Sequence, residues 1–252
     1  MISEKRYELI LEKLRRDRSA TVLQLAQEIG VSESTVRRDL IALDGQGLLS
    51  RIHGGAVLNR QVLSAHEPDM DTKEGMNIRE KQAIGRYAAG LIRSKDFVFL
   101  DAGTTTLQVA HAVSGEALEA TYITNGLTHA RVLCRKGCNV CVLAGQVRQR
   151  TEAIVGASAL NCLHGYNFTK AFLGVNGIAI PQGFTTPGIE ERELKLGAIQ
   201  SAQECWFLAD HSKFDQSCTA IICPLPRVGI ITDKVPNPKY RTYTVIQEVG
   251  AD

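Results

Sequence analysis

The sequence predicts an α/β protein of two domains, a winged helix-turn-helix followed by a larger, mainly parallel sheet covered by helices. Three observations predict it. Residues 1–58 hold three segments with helical spacing of apolar residues and then two short extended runs. Residues 59–77 are polar and acidic without sustained periodicity, which indicates a linker. Residues 78–252 alternate between apolar strands and amphipathic helices.

The first two helices follow from apolar spacing and from residues that favour helix ends. Ser3 is a candidate N-cap of the first helix, and Thr21 of the second. Gly30 ends the second helix in the left-handed conformation, and Val31 fills the corner that follows. The inward positions of the two helices are Tyr7, Ile10, Leu11, Leu14, Leu25, Ala26 and Ile29.

Residues 32–40 predict the second helix of the helix-turn-helix. Ser32 is its expected N-cap, and the acidic Glu33 suits the positive end of the helix. The face suited to burial holds Val36, Leu40 and Leu43. Ser34 and Arg38 point away from it, with Arg37 on the flank. Such a helix fits a DNA major groove, and an ordinary surface helix with two solvated arginines is the alternative.

A β-wing is predicted after this helix. Gly45 and Gly47 interrupt the helical pattern, and residues 48–57 form two extended runs around a turn. The wing would place Arg51 and His53 beside DNA phosphates, although a solvated histidine is the alternative for His53. The predicted DNA contacts are Ser32, Ser34, Thr35, Arg37, Arg38, Arg51 and His53.

Composition agrees with this organisation without deciding function. The net charge is +2, and the excess lies in residues 1–60, where ten basic residues accompany eight acidic ones. Seven cysteines scattered through apolar segments indicate a reducing cytoplasm rather than a disulfide framework. No apolar run approaches the roughly 18 residues of a membrane span, and the N-terminus lacks a signal-peptide core. We therefore expect a cytoplasmic protein.

The second domain is predicted from apolar runs that are hydrophobic on both strand faces, as in a parallel sheet covered by helices. The predicted strands are 97–100, 122–123, 140–143, 171–175, 206–209 and 228–231. The predicted helices lie near 84–92, 105–114, 126–136, 153–163 and 189–203.

Ligands bind beyond the carboxyl ends of such strands. The first strand runs into residues 101–106, where Gly103 lets the backbone approach an anion. Threonine hydroxyls and free N–H groups at the following helix then suit a phosphate, while simple capping of that helix is the alternative. Residues 124–126 are again small and polar. Lys213 follows a late strand and supplies a cation, unless it is only a surface lysine.

These segments, in this order, resemble a DeoR-family transcriptional regulator along nearly the whole chain. The matching stretches are 31–40, 51–56, 99–106, 123–126, 172–178 and 212–214. The resemblance implies a C-terminal sensor domain related to ribose-5-phosphate isomerase and Rossmann-like in fold. It also implies a sugar phosphate or related metabolite as effector, and repression of carbohydrate or nucleoside catabolism genes.

The resemblance also implies which residues bind the effector. They are Asp101, Gly103, Thr104, Thr105, Thr106, Thr124, Asn125, Gly126, Arg148, Glu190, Lys195 and Lys213. Thr185, Thr186 and Glu191 match the same family stretch as Glu190, although both glutamates also suit the first turn of a helix. Ala144 replaces one of two glycines that the family has before Arg148, and His211 stands where the family has serine. No cofactor or metal is expected.

An enzyme is the first alternative. The related isomerases need a carboxylate as general base, in an acidic motif after a central strand. The corresponding stretch here, residues 174–178, has no carboxylate, which leaves Asp101 and Glu190 as candidate bases. We expect a regulator rather than an enzyme.

A cluster protein is the second alternative, because Cys134, Cys138 and Cys141 have the spacing of an iron–sulfur motif. Cys141 alternates within an apolar run and is predicted to be a buried strand cysteine, which argues against a cluster. Because one winged helix covers few base pairs, we also expect a homo-oligomer on double-stranded operator DNA.

Overall fold

The N-terminal unit, Met1–Val62, contains three helices and a small antiparallel sheet in the computed structural model. The structure describes residues 3–17, 19–45, 48–58 and 70–250 of the chain. The helices are α1 (Ser3–Asp17), α2 (Val22–Ile29) and α3 (Glu33–Gly45), and the strands are β1 (Ser19–Thr21), β2 (Leu49–Ile52) and β3 (Gly55–Leu58). The sheet order is β1-β3-β2, which confirms the winged helix-turn-helix.

Local signals set the corners of this unit. The Thr21 hydroxyl accepts from the backbone N–H of Gln24, whose side chain accepts from the backbone N–H of Thr21, so α2 begins with a capping box. Gly30 ends α2 with φ +74°, as predicted. Ile10, Leu14 and other inward residues of the three helices are fully buried together.

A buried ion pair that the sequence analysis missed joins the first and third helices. Asp39 is on the inward face of α3, and its two carboxylate oxygens accept from Nε and Nη2 of Arg6 at 2.7 and 2.8 Å. The bidentate geometry fixes the direction of α3 relative to α1. The orientation of the outward face of α3 therefore depends on a pair of charges as well as on apolar packing.

The C-terminal unit, Leu63–Asp252, is built on a seven-stranded sheet in which every neighbouring pair is parallel. Its strands, in chain order, are β4 (Phe97–Leu100), β5 (Thr121–Thr124), β6 (Asn139–Val142), β9 (Phe168–Gly174), β12 (Ala202–Leu208), β14 (Gly229–Thr232) and β15 (Ile246–Glu248). Two small antiparallel sheets comprise β7 (Gln146–Val147) with β8 (Ile154–Val155), and β10 (Gly177–Ala179) with β11 (Gly183–Thr186) and β13 (Ala220–Cys223).

Helices cover both faces of the large sheet, as the apolar strand pattern predicts. They are α5 (Ile78–Gly90), α6 (Thr104–Ala112), α7 (Leu127–Arg135), α8 (Ala157–Leu163) and α9 (Ile189–Ser201), and the short helix α4 (Met70–Gly75) precedes α5. Along β4, Val98 and Leu100 pack with α5 and α6, while Phe99 packs on the other face with α8 and α9. This alternation explains why an unbroken apolar run forms a fully buried strand.

The order of the large sheet is β15-β14-β12-β9-β4-β5-β6. From β4 the chain proceeds outward to β5 and β6, and it then returns to the other side of β4 with β9. The loops that follow β4 and β9 therefore leave in opposite directions and open a crevice at the carboxyl ends of these strands. That crevice positions the site described below.

Three sequence expectations differ from the structure. Helix α4 lies within the predicted linker, residues 59–77, of which 59–69 are outside the described residues. The sheet of β10, β11 and β13 in the C-terminal unit was not expected from the sequence. Cys141 is exposed, so its prediction as a buried strand cysteine was wrong, because β6 is an edge strand with its side chains largely open to solvent. Alternation alone does not tell an edge strand from a central one.

No helix within residues 3–17, 19–45, 48–58 and 70–250 is both long enough and apolar enough to cross a lipid bilayer.

Helices α5 and α6 approach each other through Gly85. A Cβ atom at this position would lie 2.5 Å from the backbone carbon of Gln108 and 2.7 Å from its oxygen. We expect Gly85→Ala to force the two helices apart and to lower the free energy of unfolding by about 1–3 kcal/mol. Urea denaturation followed by circular dichroism measures the change.

Gly90→Ala, at the end of the same helix, is the matched control, because a Cβ atom there meets nothing within 4 Å. Its stability should equal or slightly exceed that of the unmodified protein, since alanine favours helix. Equal stability of the two variants would contradict the close-approach argument.

Candidate functional site

The outward face of α3 carries a cluster of hydroxyl groups at its N-terminal end. The backbone N–H of Thr35 donates to Ser32 Oγ at 3.3 Å, which confirms Ser32 as the cap. Ser32 Oγ also lies 2.8 Å from Ser34 Oγ and 2.9 Å from Thr35 Oγ1. Ser32 and Ser34 are exposed and Thr35 is half-buried. These groups are placed where a recognition helix meets base edges.

The basic residues predicted to contact DNA are all exposed. Arg37 forms an ion pair with Glu33 one turn earlier, at 2.6 Å, whereas Arg38 forms no ion pair with any residue that the structure describes. Arg51 and His53 lie at the end of β2 and in the turn of the wing. The N-terminal unit thus presents a helix face and a wing, both carrying cationic or hydrogen-bonding groups.

The second site is a cavity in the C-terminal unit, at the crevice between the ends of β4 and β9. Predicted effector residues that line it are Asp101, Gly103, Thr104, Thr105, Asn125, Lys195 and Lys213. These residues come from four separate parts of the chain, so the fold brings together what the sequence only suggested. Their positions are consistent with a binding site and leave its ligand to be inferred from chemistry.

The three threonines at the start of α6 have two different roles. Thr104 and Thr105 line the cavity, and their hydroxyls have no hydrogen-bond partner within the described part of the chain. Thr106 is fully buried, and its hydroxyl donates to the carbonyl of Gly103 at 2.9 Å. Two hydroxyls and the positive end of a nine-residue helix are thus available to an anion, while the third threonine closes the turn.

Behind this turn, a buried histidine holds the loop in place. His129 Nε2 lies 3.1 Å from both the Gly103 carbonyl and Thr106 Oγ1. Burial lowers the pKa of His129 to about 4, so its ring is neutral near pH 7. Gly126 leaves room for the ring, since a Cβ atom there would lie 2.4 Å from His129 Nδ1. Gly126 therefore supports the loop from outside the cavity lining.

Two polar residues at the end of β5 also serve the framework. Thr124 Oγ1 donates to the Leu100 carbonyl at 2.6 Å, which ties β5 to β4. Asn125 Oδ1 accepts from the backbone N–H of Ala102 at 2.8 Å, and its amide donates to the Ile154 carbonyl. Thr124 is buried behind the cavity, while Asn125 forms part of its wall.

The floor of the cavity is a buried ion pair. Asp101 Oδ2 accepts from the backbone N–H of Gly174 at 2.9 Å and from Lys195 Nζ of α9. Both side chains are almost completely buried. The pair joins the loops after β4 and β9, and its charges compensate each other.

The predicted acidic residue at the start of α9 is displaced by one position. Glu190 is exposed and outside the cavity lining, whereas Glu191 is buried and lines it. Glu191 accepts from Arg148 Nη1 at 3.3 Å and from the hydroxyls of Thr151 and Thr186 at 3.4 and 3.3 Å. Arg148 thus acts through Glu191 rather than as part of the lining.

Two lysines of the cavity were missed, namely Lys73 in α4 and Lys81 in α5. Lys81 Nζ donates to the Lys73 carbonyl. The pKa of Lys81 is lowered to about 8, chiefly by burial. Nearby Lys213 and Lys73 contribute to this lowering, while Asp210 and Glu74 oppose it. The side chain of Lys213 forms no hydrogen bond or ion pair with another described residue. Cationic groups therefore gather on this wall.

A signal for Lys81 exists in the sequence. Lys81 precedes Ile84 by three residues and Ala88 by seven, so it belongs to the apolar face of α5. A lysine on such a face is rarely buried without a function or a partner. Lys73 and Asn77 fell inside the predicted linker, where no periodicity drew attention to them.

The cysteine spacing does not form a ligand set. Cys138 is buried, whereas Cys134 and Cys141 are exposed. Within the described residues, no group of three His, Cys, Asp or Glu side chains is arranged to hold a metal ion.

Comparison with family models assigns both units. Residues 6–62 match the DeoR-like helix-turn-helix domain, and residues 76–234 match the DeoR C terminal sensor domain. Together these matches cover most of the chain.

Named relatives are similar over most of their length. The chain is 35% identical to the uncharacterized HTH-type transcriptional regulator FruR of Bacillus subtilis (strain 168), over 99% of each chain. It is 30% identical to the putative aga operon transcriptional repressor of Escherichia coli O157:H7, over 91% of this chain and 85% of the relative. It is 34% identical to the lactose phosphotransferase system repressor of Lactococcus lactis subsp. lactis, over 86% and 85%.

Among solved structures, ribose 5-phosphate isomerase A of Methanocaldococcus jannaschii matches 53% of this chain and 53% of its own. The TM-score is 0.39 and the identity 16%. These values are too low to support a functional argument.

The lowered pKa of Lys81 predicts that an anion in this cavity would bind with an affinity that depends on pH. A bound phosphate dianion favours the charged ammonium, so binding takes up a proton wherever the free protein has lost it. We expect the affinity for the phosphate dianion, calculated from the dianion concentration at each pH, to fall about tenfold between pH 7 and pH 9, since the pKa is about 8. Isothermal titration calorimetry in buffers of different ionisation enthalpy measures both the affinity and the proton uptake.

Lys81→Met should bind phosphate more weakly and lose this dependence on pH. Lys170→Met is the control, because Lys170 pairs with Asp96 at the opposite end of the sheet. A Lys81→Met variant that keeps the full dependence would contradict the assignment of the proton to Lys81.

Proposed function

The chain belongs to the DeoR family of transcriptional regulators, and we propose that it represses carbohydrate or nucleoside catabolism genes under the control of a phosphorylated sugar. The observation that carries this proposal is the cavity at the end of β4. The hydroxyls of Thr104 and Thr105 at a helix N-terminus line it together with lysines from other segments of the chain. The names of the relatives support a link to carbohydrate genes.

The phosphate would bind at the start of α6. Thr104 and Thr105 supply hydroxyl donors, and the free backbone N–H groups of the first turn add to the positive end of the helix. Lys213 and Lys81 then neutralise the two charges of a phosphate dianion. The Asp101–Lys195 pair is already internally compensated and adds no net charge to this region.

The sugar would lie between the phosphate site and the wall that Glu191 forms. Glu191, Thr151 and Asn176 line that wall and carry groups that hydrogen-bond hydroxyls. We assign Glu191 to the sugar in place of Glu190, because Glu190 is exposed outside the lining. Arg148 would hold Glu191 in position through their ion pair.

Operator DNA would be bound by the N-terminal unit. Ser34, Thr35 and Arg38 are suited to base edges, while Arg51 and His53 of the wing are suited to phosphates. One such unit covers too few base pairs for useful specificity, so we propose a homo-oligomer on repeated half-sites. The effector would regulate by binding the DNA-bound and free arrangements with different affinity.

Isomerase activity is the alternative, and the surroundings of the two candidate bases suggested by the sequence, Asp101 and Glu190, disfavour both in that role. A general base needs a carboxylate that is free to accept a proton. Asp101 is engaged by Lys195 and by the Gly174 N–H, and Glu190 is outside the cavity lining. The relatives reported above are named as transcriptional regulators or repressors.

A screen of phosphorylated sugars tests the sensor proposal. We expect at least one of ribose 5-phosphate, glucose 6-phosphate, fructose 1-phosphate and fructose 6-phosphate to raise the melting temperature and to change operator binding. Lys213→Ala should lose most of the shift, because a charge-assisted hydrogen bond contributes about 1.5–3 kcal/mol. Lys234→Ala, an exposed lysine outside the cavity lining, should keep it. Equal shifts in the two variants would reject the phosphate site.

Two arginine variants test DNA recognition on an operator selected from random duplexes. Arg38→Ala should relax discrimination at one base position by about 1–3 kcal/mol, because Arg38 is free to reach a base edge. Arg37→Ala should weaken all sequences alike and flatten the salt dependence, because Arg37, on the flank of α3 and held by Glu33, is proposed to contact a phosphate and its loss removes one cationic contact. Binding to single-base variants at several salt concentrations separates the two effects. Uniform losses for both variants would reject base reading by Arg38.

A further inference from the structure

Asp210, which sequence analysis did not assign, has one satisfied and one unsatisfied carboxylate oxygen. Its side chain is buried, with a relative exposure of 1%, and it lines the cavity. Oδ1 accepts from Asn77 Nδ2 at 3.0 Å, from the Ser212 N–H at 3.0 Å and from the Ser212 hydroxyl. Oδ2 is buried and has no hydrogen-bond partner among the described residues. A buried carboxylate oxygen without a donor is costly, so this arrangement needs an explanation.

Asn77, one of the residues that hold Asp210, does not behave as a usual helix-capping residue. Asn77 is the first residue before α5, in the position of a helix cap, yet its side chain makes no capping hydrogen bond. It adopts the left-handed conformation, with φ 51° and ψ 41°, and donates to Asp210 instead. Asparagine tolerates this conformation better than most residues. The Asn77 side chain therefore orients the Asp210 carboxylate instead of capping α5.

The immediate surroundings of Asp210 define what could fill the missing contact. Lys81 and Lys213 are close by and line the same cavity. An ammonium group donates hydrogen bonds, whereas an ionised carboxylate only accepts them. A hydroxyl group both accepts and donates. A ligand hydroxyl between a lysine and Asp210 would therefore accept from the ammonium group and donate to Oδ2. Phosphate oxygens, by contrast, would be repelled by the carboxylate.

We propose that Asp210 is a specificity-determining residue, whose Oδ2 accepts a hydrogen bond from one hydroxyl of the sugar effector. The inference rests on the proposed function and adds to it a second recognition element beside the phosphate site. Phosphate alone would occupy the turn at Thr104 and Thr105 without using Asp210. Discrimination among phosphorylated sugars would then depend on whether a hydroxyl reaches Oδ2.

Calorimetry with two ligands tests this assignment. The probes are inorganic phosphate and the sugar phosphate from the screened panel that binds the full-length protein most tightly. We expect Asp210→Asn to bind the sugar phosphate about tenfold or more weakly, since a hydrogen bond to a charged group is lost. The same variant should bind inorganic phosphate as tightly as the wild type or more tightly, because a negative charge has been removed. Lys213→Ala should instead weaken both ligands.

Monodeoxy analogues of that sugar phosphate locate the hydroxyl. One analogue should bind the wild type about tenfold more weakly than its parent but show little further loss in Asp210→Asn, because the two changes remove the same contact. Asn77→Gly keeps the left-handed backbone and removes the support of Oδ1, and it should give a smaller loss for the sugar phosphate alone. Asp96→Asn, which changes a carboxylate at the amino end of β4, should bind both ligands normally.

The outcomes separate the two proposals. Failure of every sugar phosphate to bind the wild type would overturn the proposed function and this inference together. Tight binding by the wild type with equal affinity in Asp210→Asn would overturn the inference alone. Parallel losses for phosphate and sugar phosphate in Asp210→Asn would also overturn it, since they would indicate damage to the whole cavity.

Discussion

The C-terminal unit depends on the ion pair between Asp101 and Lys195, buried where the order of the parallel sheet reverses. Asp101 follows β4, and it also accepts from the Gly174 N–H at the end of β9. Two buried charges are tolerated only when each satisfies the other and the remaining lone pairs find donors. Lys195 brings α9 to the same point. The pair thus sets the positions of three elements, and the other groups of the cavity are arranged around it.

The charged residues of the cavity fall into an ion pair at its floor and a mainly cationic group on one wall. Where opposite charges meet at the floor, they compensate each other and serve structure. On the wall formed by Lys81 and Lys213, cationic groups outnumber their partners, and burial makes the charge of Lys81 costly. Positive charges held close together lower the stability of the folded state, and such a cluster in a cavity is a candidate site for an anion. Asp210 lies near these lysines, and its Oδ2 atom lacks a hydrogen-bond donor among the described residues.

Interactions between residues that are close in the chain could be predicted from the sequence, whereas interactions between distant segments could not. Residues 101–105 could be predicted because a strand, a glycine and a helix start are adjacent in the chain. The pairing of Asp39 with Arg6, and the convergence of Lys81 with Asp210, join distant segments and leave little local signal. Cys141 was predicted wrongly because alternation does not reveal whether a strand has a neighbour on both sides. Glu190 and Glu191 differ by 100° around a helix, which only the packing of α9 resolves.

The contact at Gly85 has a consequence for the cavity. Gly85 lies four residues after Lys81, and Gln108 lies four residues after Thr104, so the two helices touch one turn behind their cavity-lining residues. The separation between the two helix backbones beside the cavity is therefore set by the close approach of Gly85 to Gln108. Gly85, which has no side chain, thus sets the distance between α5 and α6 next to the cavity. For the proposed anion, a fixed distance between the two helices would leave less conformational freedom to lose on binding.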